Sequence, residues 1–208
     1  MPHLAVEDLK THAGEIAAAY YAHPDRSMFT VAITGTNGKT SCAQWLGNAL
    51  SRLGQPTAVI GTLGIGIYTN GGAGDFDVTG YTTPDAVLLQ RSLVHVRNLG
   101  ASALAIEASS IGLHQGRLSG MHFDMALFTN FTRDHLDYHG DMAAYEEAKA
   151  MLFDWPGLQH AVINLDDAMG LRLVQRLQGK QANTAITGYT LGEQKVDGIG
   201  LLLSLIHI

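Results

Sequence analysis

The chain has 208 residues, 46% of them apolar and 15% charged, enough for one sizeable packed domain. Its net charge of −6 argues against nucleic acid as the main partner, and no apolar run approaches the roughly 20 residues of a membrane span. The first residues lack the basic and apolar regions of a secretory leader, and the single cysteine, Cys42, excludes an internal disulfide, so a cytoplasmic protein is expected.

Residues 6–21 have the spacing of an amphipathic helix and lead into a polar connector. Phe29–Ile33 is a short, β-rich apolar run that reads as a buried strand. After a glycine-rich turn, Lys39 to Leu53 has helical spacing through Trp45, Leu46, Ala49, Leu50 and Leu53, with Cys42 read as a small buried thiol. Gly54-Gln55-Pro56 stops that helix, and Thr57–Ile60 reads as a second strand. Residues 61–80 are glycine-rich and partly alternating, as in a β-ribbon or a loop. Pro84 then predicts a helix running to Asn98, with Thr83 as its N-cap. Ala103–Ile106, Met125–Phe128, Ala161–Ile163 and Thr184–Thr187 read as strands, and Met142–Phe153 and Asp167–Leu177 as helices.

Strands alternating with helices imply crossover connections, hence an α/β fold with a mainly parallel sheet covered by helices on both faces. Ligands of such sheets bind at the carboxyl ends of the strands. The polar clusters after Ile33, Ile106 and Phe128 all fall there. Residues 29–202 are expected to form a central domain that is incomplete at its C-terminal end. Residues 1–28 are too few for a domain of their own and read as the remnant of a preceding one with its linker. The string at 203–208 matches the translated end of a sequencing-library transposon and is expected to be a non-native tail.

Strand, then Gly35-Thr36-Asn37-Gly38-Lys39-Thr40-Ser41, then helix is the order that phosphate binding requires. Glycines let backbone N–H groups approach the anion, and the helix N-terminus supplies unpaired donors and positive potential. Lys39 would reach the β/γ-phosphates of ATP and the Thr40 hydroxyl would reach Mg²⁺. Ile33 stands where the usual loop has its first glycine, so the spacing is shortened.

Three further clusters carry polar chemistry. Thr82 and Thr83, ahead of Pro84-Asp85, offer hydroxyls beside free helix N–H groups for an anion or carboxylate. Glu107 at a strand end is placed for Mg²⁺, while Ser109, Gln115 and Arg117 offer donors for phosphate or carboxylate. In the run from Asn130 to Gly140, His135 could ligate a cation with Asp134 or Asp137 orienting its ring. Taken by itself, Lys149 reads as an exposed helix lysine.

Taken together, G-T-N-G-K-T, T-T-P-D, E-A-S-S followed by Q-x-R, and N-F-T-R-D-H-L-D-Y-H-G-D-M-A-A-Y-E-E-A-K resemble the Mur ligase family from about Phe29 to Leu177. The last string resembles the branch of that family that extends UDP-N-acetylmuramoyl-L-alanyl-D-glutamate by diaminopimelate or lysine. The resemblance implies ATP and Mg²⁺ as cofactors, the UDP-MurNAc-dipeptide and an amino acid as partners, and a monomer. It implies nucleotide binding by Gly35 to Ser41, and magnesium held by Thr40, Glu107, His135 and Lys149, the last as a carbamate. It assigns Thr82, Thr83, Ser109, Gln115 and Arg117 to the acyl substrate, and Lys39, Lys149 and His135 to catalysis. It also implies neighbouring domains for the uridine end and the amino acid, without which the chain is expected to be inactive. A folylpolyglutamate synthetase-type ligase is the alternative within the enzymes. A non-catalytic nucleotide-binding module is the other, although a guanine-specifying N-K-x-D is absent from the sequence.

Overall fold

The computed structural model describes residues 7–179, 184–192 and 200–203. The start of the expected remnant, residues 1–6, and residues 204–208 of the expected tail lie outside them.

The described strands form a nine-stranded sheet in the order β4-β3-β2-β5-β1-β6-β7-β8-β9. They are β1 (Phe29–Thr34), β2 (Thr57–Gly61), β3 (Gly64–Thr69), β4 (Gly72–Ala73), β5 (Ala103–Glu107), β6 (Met125–Phe128), β7 (His160–Asn164), β8 (Ala185–Thr190) and β9 (Gly200–Leu203). The pairings across the sheet from β2 to β9 are parallel, while β3 joins β2 antiparallel and β4 joins β3 antiparallel at one edge. The expected α/β architecture is present, and the ribbon reading of residues 61–80 is the correct one.

Alternation along the strands builds two cores. Ala58 and Ile60, Leu104 and Ile106, Ala126 and Phe128, and Ala161 and Ile163 point to one face, packed by α3 (Ala86–Asn98) and α7 (Ala168–Gly179). Val31, Ile33, Val59 and Ala105 point to the other, beneath α2 (Lys39–Arg52). Here the expected helix face is corrected. Trp45 and Leu53 are 71% and 79% exposed, while Ala43, Gly47 and Ser51 face inward. A β-carbon on Gly47 would stand 2.6 Å from Val59 and 2.7 Å from Tyr68, so small residues set how closely α2 lies on the sheet.

Other boundaries also differ. The helix after Pro84 starts at Ala86, and its cap is Asp85, whose carboxylate accepts from the amides of Val87 and Leu88; Thr83 is not the cap. The first helix, α1, spans Leu9–Tyr20. The helix expected over Met142–Phe153 is α6 (Met142–Ala150), capped by Asp141, after which the backbone tightens into a 3₁₀ turn through Asp154. Two short helices, α4 (Ser110–His114) and α5 (Leu136–His139), and the edge strand β9 were not foreseen.

Register positions the site. Central β1 lies between β5 and β6, with Ile33 opposite Glu107 and Thr34 opposite Phe128. The carboxyl ends of all three strands therefore converge on the loop that leaves β1.

Candidate active site

The loop from Gly35 to Lys39 is fastened to the segment that follows β6. The Thr36 amide donates to Asn130 O at 2.8 Å, and the Asn37 amide donates to Asn130 Oδ1 at 3.0 Å. Asn130 Nδ2 and Thr129 Oγ1 donate in turn to Asn37 O at 3.0 and 2.6 Å. Gly35 is required, because its φ of +143° is left to glycine and a β-carbon would meet Thr129 Oγ1 at 1.9 Å. Gly38, at φ 85°, is the left-handed residue from which α2 starts. Asn37, Gly38 and Ser41 are exposed, so the loop opens outward at the helix N-terminus.

Lys39 Nζ folds over the loop and donates to Gly35 O and Thr36 O, both at 2.8 Å. Burial lowers its pKa, with Glu107 and Asp134 acting in the opposite direction. Lys149 is 1% exposed, so its composition-based reading as a surface lysine is corrected. Its amine donates to the same Gly35 O at 2.9 Å and lies 4.4 Å from the centre of the Tyr145 ring. Burial first, then the Lys39 charge, brings its pKa down to about 7, with Asp134 pulling the other way. An amine in that range is substantially neutral near physiological pH.

Glu107, also 1% exposed, holds no ion pair among the described residues. Its Oε2 accepts from Thr40 Oγ1 at 3.0 Å and Thr62 Oγ1 at 3.2 Å, and its Oε1 accepts from the Thr62 amide at 2.9 Å. A buried carboxylate held by two hydroxyls and an amide, with no direct ion pair, beside a phosphate-binding loop fits a hard cation such as Mg²⁺. Among the described residues no three His, Cys, Asp or Glu side chains converge as a metal cage, so any such ion would draw its other ligands from elsewhere. His135, at φ 50°, is exposed; its Nε2 lies 3.6 Å from Asp134 Oδ2, longer than a hydrogen bond.

Among the residues expected to meet an acyl substrate, the hydroxyls of Thr83 and Ser109 bond within the chain. Thr83 is fully buried; its Oγ1 donates to Glu107 O at 2.8 Å and accepts from the Ser109 amide at 3.0 Å. Because its one proton goes to Glu107 O, the 2.9 Å contact with Ser109 Oγ takes the proton of Ser109. The donor and both acceptor positions of Thr83 are thus taken up within the chain, where it braces β5 against the turn before α3. Ser109 in turn caps α4 by accepting from the Gly112 amide at 3.0 Å, leaving one acceptor position and no donor. Arg117 donates to Gln115 Oε1 and to Thr83 O, and its guanidinium lies 5.4 Å from the Tyr81 ring centre. Gln115 and Arg117 line a cleft of about 270 Å³ with Tyr81, Asp85 and Lys10. Thr82 is half-buried, with its hydroxyl 3.1 Å from that of Thr62.

Two residues of the site were missed. Thr62 binds both oxygens of Glu107. Tyr145, fully buried, meets Thr36 Oγ1 with its hydroxyl at 3.1 Å while its ring supports Lys149. Tyr145 sits four residues before Lys149 on one helix face, a spacing that could have revealed it.

The model of the Mur ligase middle domain matches residues 33–198. The chain belongs to the Mur ligase family. At 88% identity over 200 residues it is similar to UDP-N-acetylmuramoyl-L-alanyl-D-glutamate–2,6-diaminopimelate ligase of Janthinobacterium sp. (strain Marseille), covering 96% of this chain and 39% of that one. The chain thus spans about two fifths of the length of this curated relative. A solved structure of a ligase of the same description superposes with a TM-score of 0.80 at 38% identity, over 93% of this chain and 39% of that one. Folylpolyglutamate synthase of Mycobacterium tuberculosis, solved with ADP and AMPPCP, superposes at TM-score 0.67 over 86% of this chain and 47% of that one; at 18% identity it shares the fold. No described helix of this Mur ligase domain is long and apolar enough to cross a membrane.

Proposed function

We propose that this domain is the ATP-binding core of a ligase that joins diaminopimelate to the D-glutamate of UDP-N-acetylmuramoyl-L-alanyl-D-glutamate. The observation that carries the reading is the convergence of Lys39, Lys149 and the Glu107–Thr40 pair on the phosphate loop. The names of the similar ligases support diaminopimelate over lysine as the added residue.

ATP binds with its phosphates on the amides of Gly35 to Ser41, and Lys39 exchanges its two loop carbonyls for phosphate oxygens. Thr40 and Glu107 would hold magnesium, which would supply neutralisation of phosphate charge. The D-glutamate carboxylate attacks the γ-phosphorus and ADP leaves; the amine of the second substrate then attacks the acyl phosphate and inorganic phosphate departs. Gln115 and Arg117 hold the acyl substrate, with Thr82 at the near end. The work of the chain is to hold two anions in line, which they would otherwise resist. The neutral Lys149 amine takes up CO₂ and releases one proton, giving a carbamate whose oxygens would suit magnesium; the His135 ring lies 6.0 Å from that of Tyr145, which supports Lys149.

The test is phosphate release from ATP by the full-length gene product. Release should require both UDP-MurNAc-L-Ala-D-Glu and diaminopimelate, and Lys39→Ala should remove it. Turnover with a folate and glutamate instead would overturn the substrate assignment.

A further inference from the structure

Glu107 is held from one direction by a corner of the chain with no assigned role. At the end of β2, Gly61 leaves no room for a side chain: a β-carbon there would stand 2.0 Å from Glu107 Oε1. The missing side chain admits the carboxylate against the backbone, where the next residue, Thr62, meets it twice. The Thr62 amide donates to Oε1 at 2.9 Å and the Thr62 hydroxyl to Oε2 at 3.2 Å. One donor on each oxygen fixes the rotation of the carboxylate, which a single bond would not. Oε2 is thereby the oxygen turned to the Thr40 hydroxyl, 3.0 Å away. A threonine has one hydroxyl proton. Since that of Thr62 goes to Glu107, the 3.1 Å contact between Thr62 and Thr82 takes its proton from Thr82. The order of donation therefore runs from Thr82 to Thr62 to Glu107.

We infer that Thr62 is a positioning residue for Glu107, aiming its carboxylate at the magnesium side of the loop and tying that aim to Thr82 on the acyl-substrate side. The inference rests on the assignment of Glu107 to magnesium given above. Thr62 is exposed, so its side chain can be changed at little cost to the fold. Thr62→Val keeps the branched shape and the amide bond and removes the hydroxyl; Thr62→Ser keeps the hydroxyl.

The experiment titrates Mg²⁺ against binding of a fluorescent, non-hydrolysable ATP analogue, with a magnesium-free arm and with thermal unfolding of each variant alongside. Thr62→Val should raise the magnesium concentration for half-maximal binding about tenfold, the loss of one bond to a charged group. Magnesium-free binding should stay within about twofold, and Thr62→Ser should restore the midpoint to within about twofold. An unchanged midpoint in Thr62→Val while Glu107→Gln raises it would sink the role of Thr62 and leave that of Glu107 standing. Equal weakening in the magnesium-free arm would overturn the inference by showing a general distortion of the loop. If the unaltered chain binds the analogue with no magnesium dependence, the assignment of Glu107 itself fails and takes this inference with it.

Discussion

Replacing Lys149 by Met tests the feature on which the chemistry depends most, an ammonium group forced out of water. Folding carries its pKa from 10.5 to about 7, chiefly through burial. Below about pH 7 the amine is protonated in both folded and unfolded chains, and its burial costs the full difference. At about 1.36 kcal/mol per unit, that is about 5 kcal/mol. Between pH 7 and 10.5 the unfolded chain keeps a proton that the folded chain has released, so the cost declines as pH rises. Met keeps the aliphatic stem and cannot titrate, and Gly35 O retains its bond from Lys39 at 2.8 Å. Whatever pH-independent change the substitution brings, the original chain should gain on the variant by about 2.3 kcal/mol between pH 7, where the folded amine is half protonated, and pH 9. Urea unfolding of both proteins in CO₂-free buffer at the two pH values measures this. A gap that stays constant within about 0.5 kcal/mol, or moves the other way, would refute a desolvated amine. Adding bicarbonate at pH 8 should then stabilise the original chain alone, because only it can form a carbamate in the folded state.

Two smaller predictions concern the frame of the site. Gly35→Ala sets a β-carbon 1.9 Å from Thr129 Oγ1 at a φ of +143°, and should abolish ATP-analogue binding while circular dichroism still reports a folded chain. Asp85→Ala removes the acceptor for two amides at the start of α3 and should cost about 1 kcal/mol in urea unfolding, with analogue binding unchanged.

Where information was local, the sequence was legible. The apolar run of β1, the glycines after it and the helix behind them sit within about two dozen residues, and each element could be read from its own composition. The parallel sheet followed from alternation of strands and helices. What escaped depended on distance. Pro84 suggested a cap at Thr83, but that hydroxyl turns inward to a carbonyl 24 residues away, and Asp85 is free to cap instead. The long side chains of α2 suggested its buried face; the sheet lies so close that Ala43, Gly47 and Ser51 are the residues fully buried there, with Cys42 and Leu46 packing beside them. The α5 helix has four residues and β9 is an edge strand, both too short to carry a period. Thr62 has no signal of its own, since its role exists only once β2 and β5 are paired and Glu107 arrives from 45 positions away. Lys149 is the instructive case. Its composition reading failed, because the burial arises only when α6 packs over the loop that leaves β1.

The fastening of the phosphate loop to Thr129 and Asn130 sets a timetable for the newborn chain. The loop's partners lie 92 to 96 residues downstream, so it cannot take its working shape when β1 and α2 emerge from the ribosome. Closure of a segment that long is slow compared with local helix formation. ATP therefore cannot template the early stages of folding. It can only reward a chain whose β6 has already docked beside β1, which makes nucleotide binding a report on completed assembly of the sheet's centre.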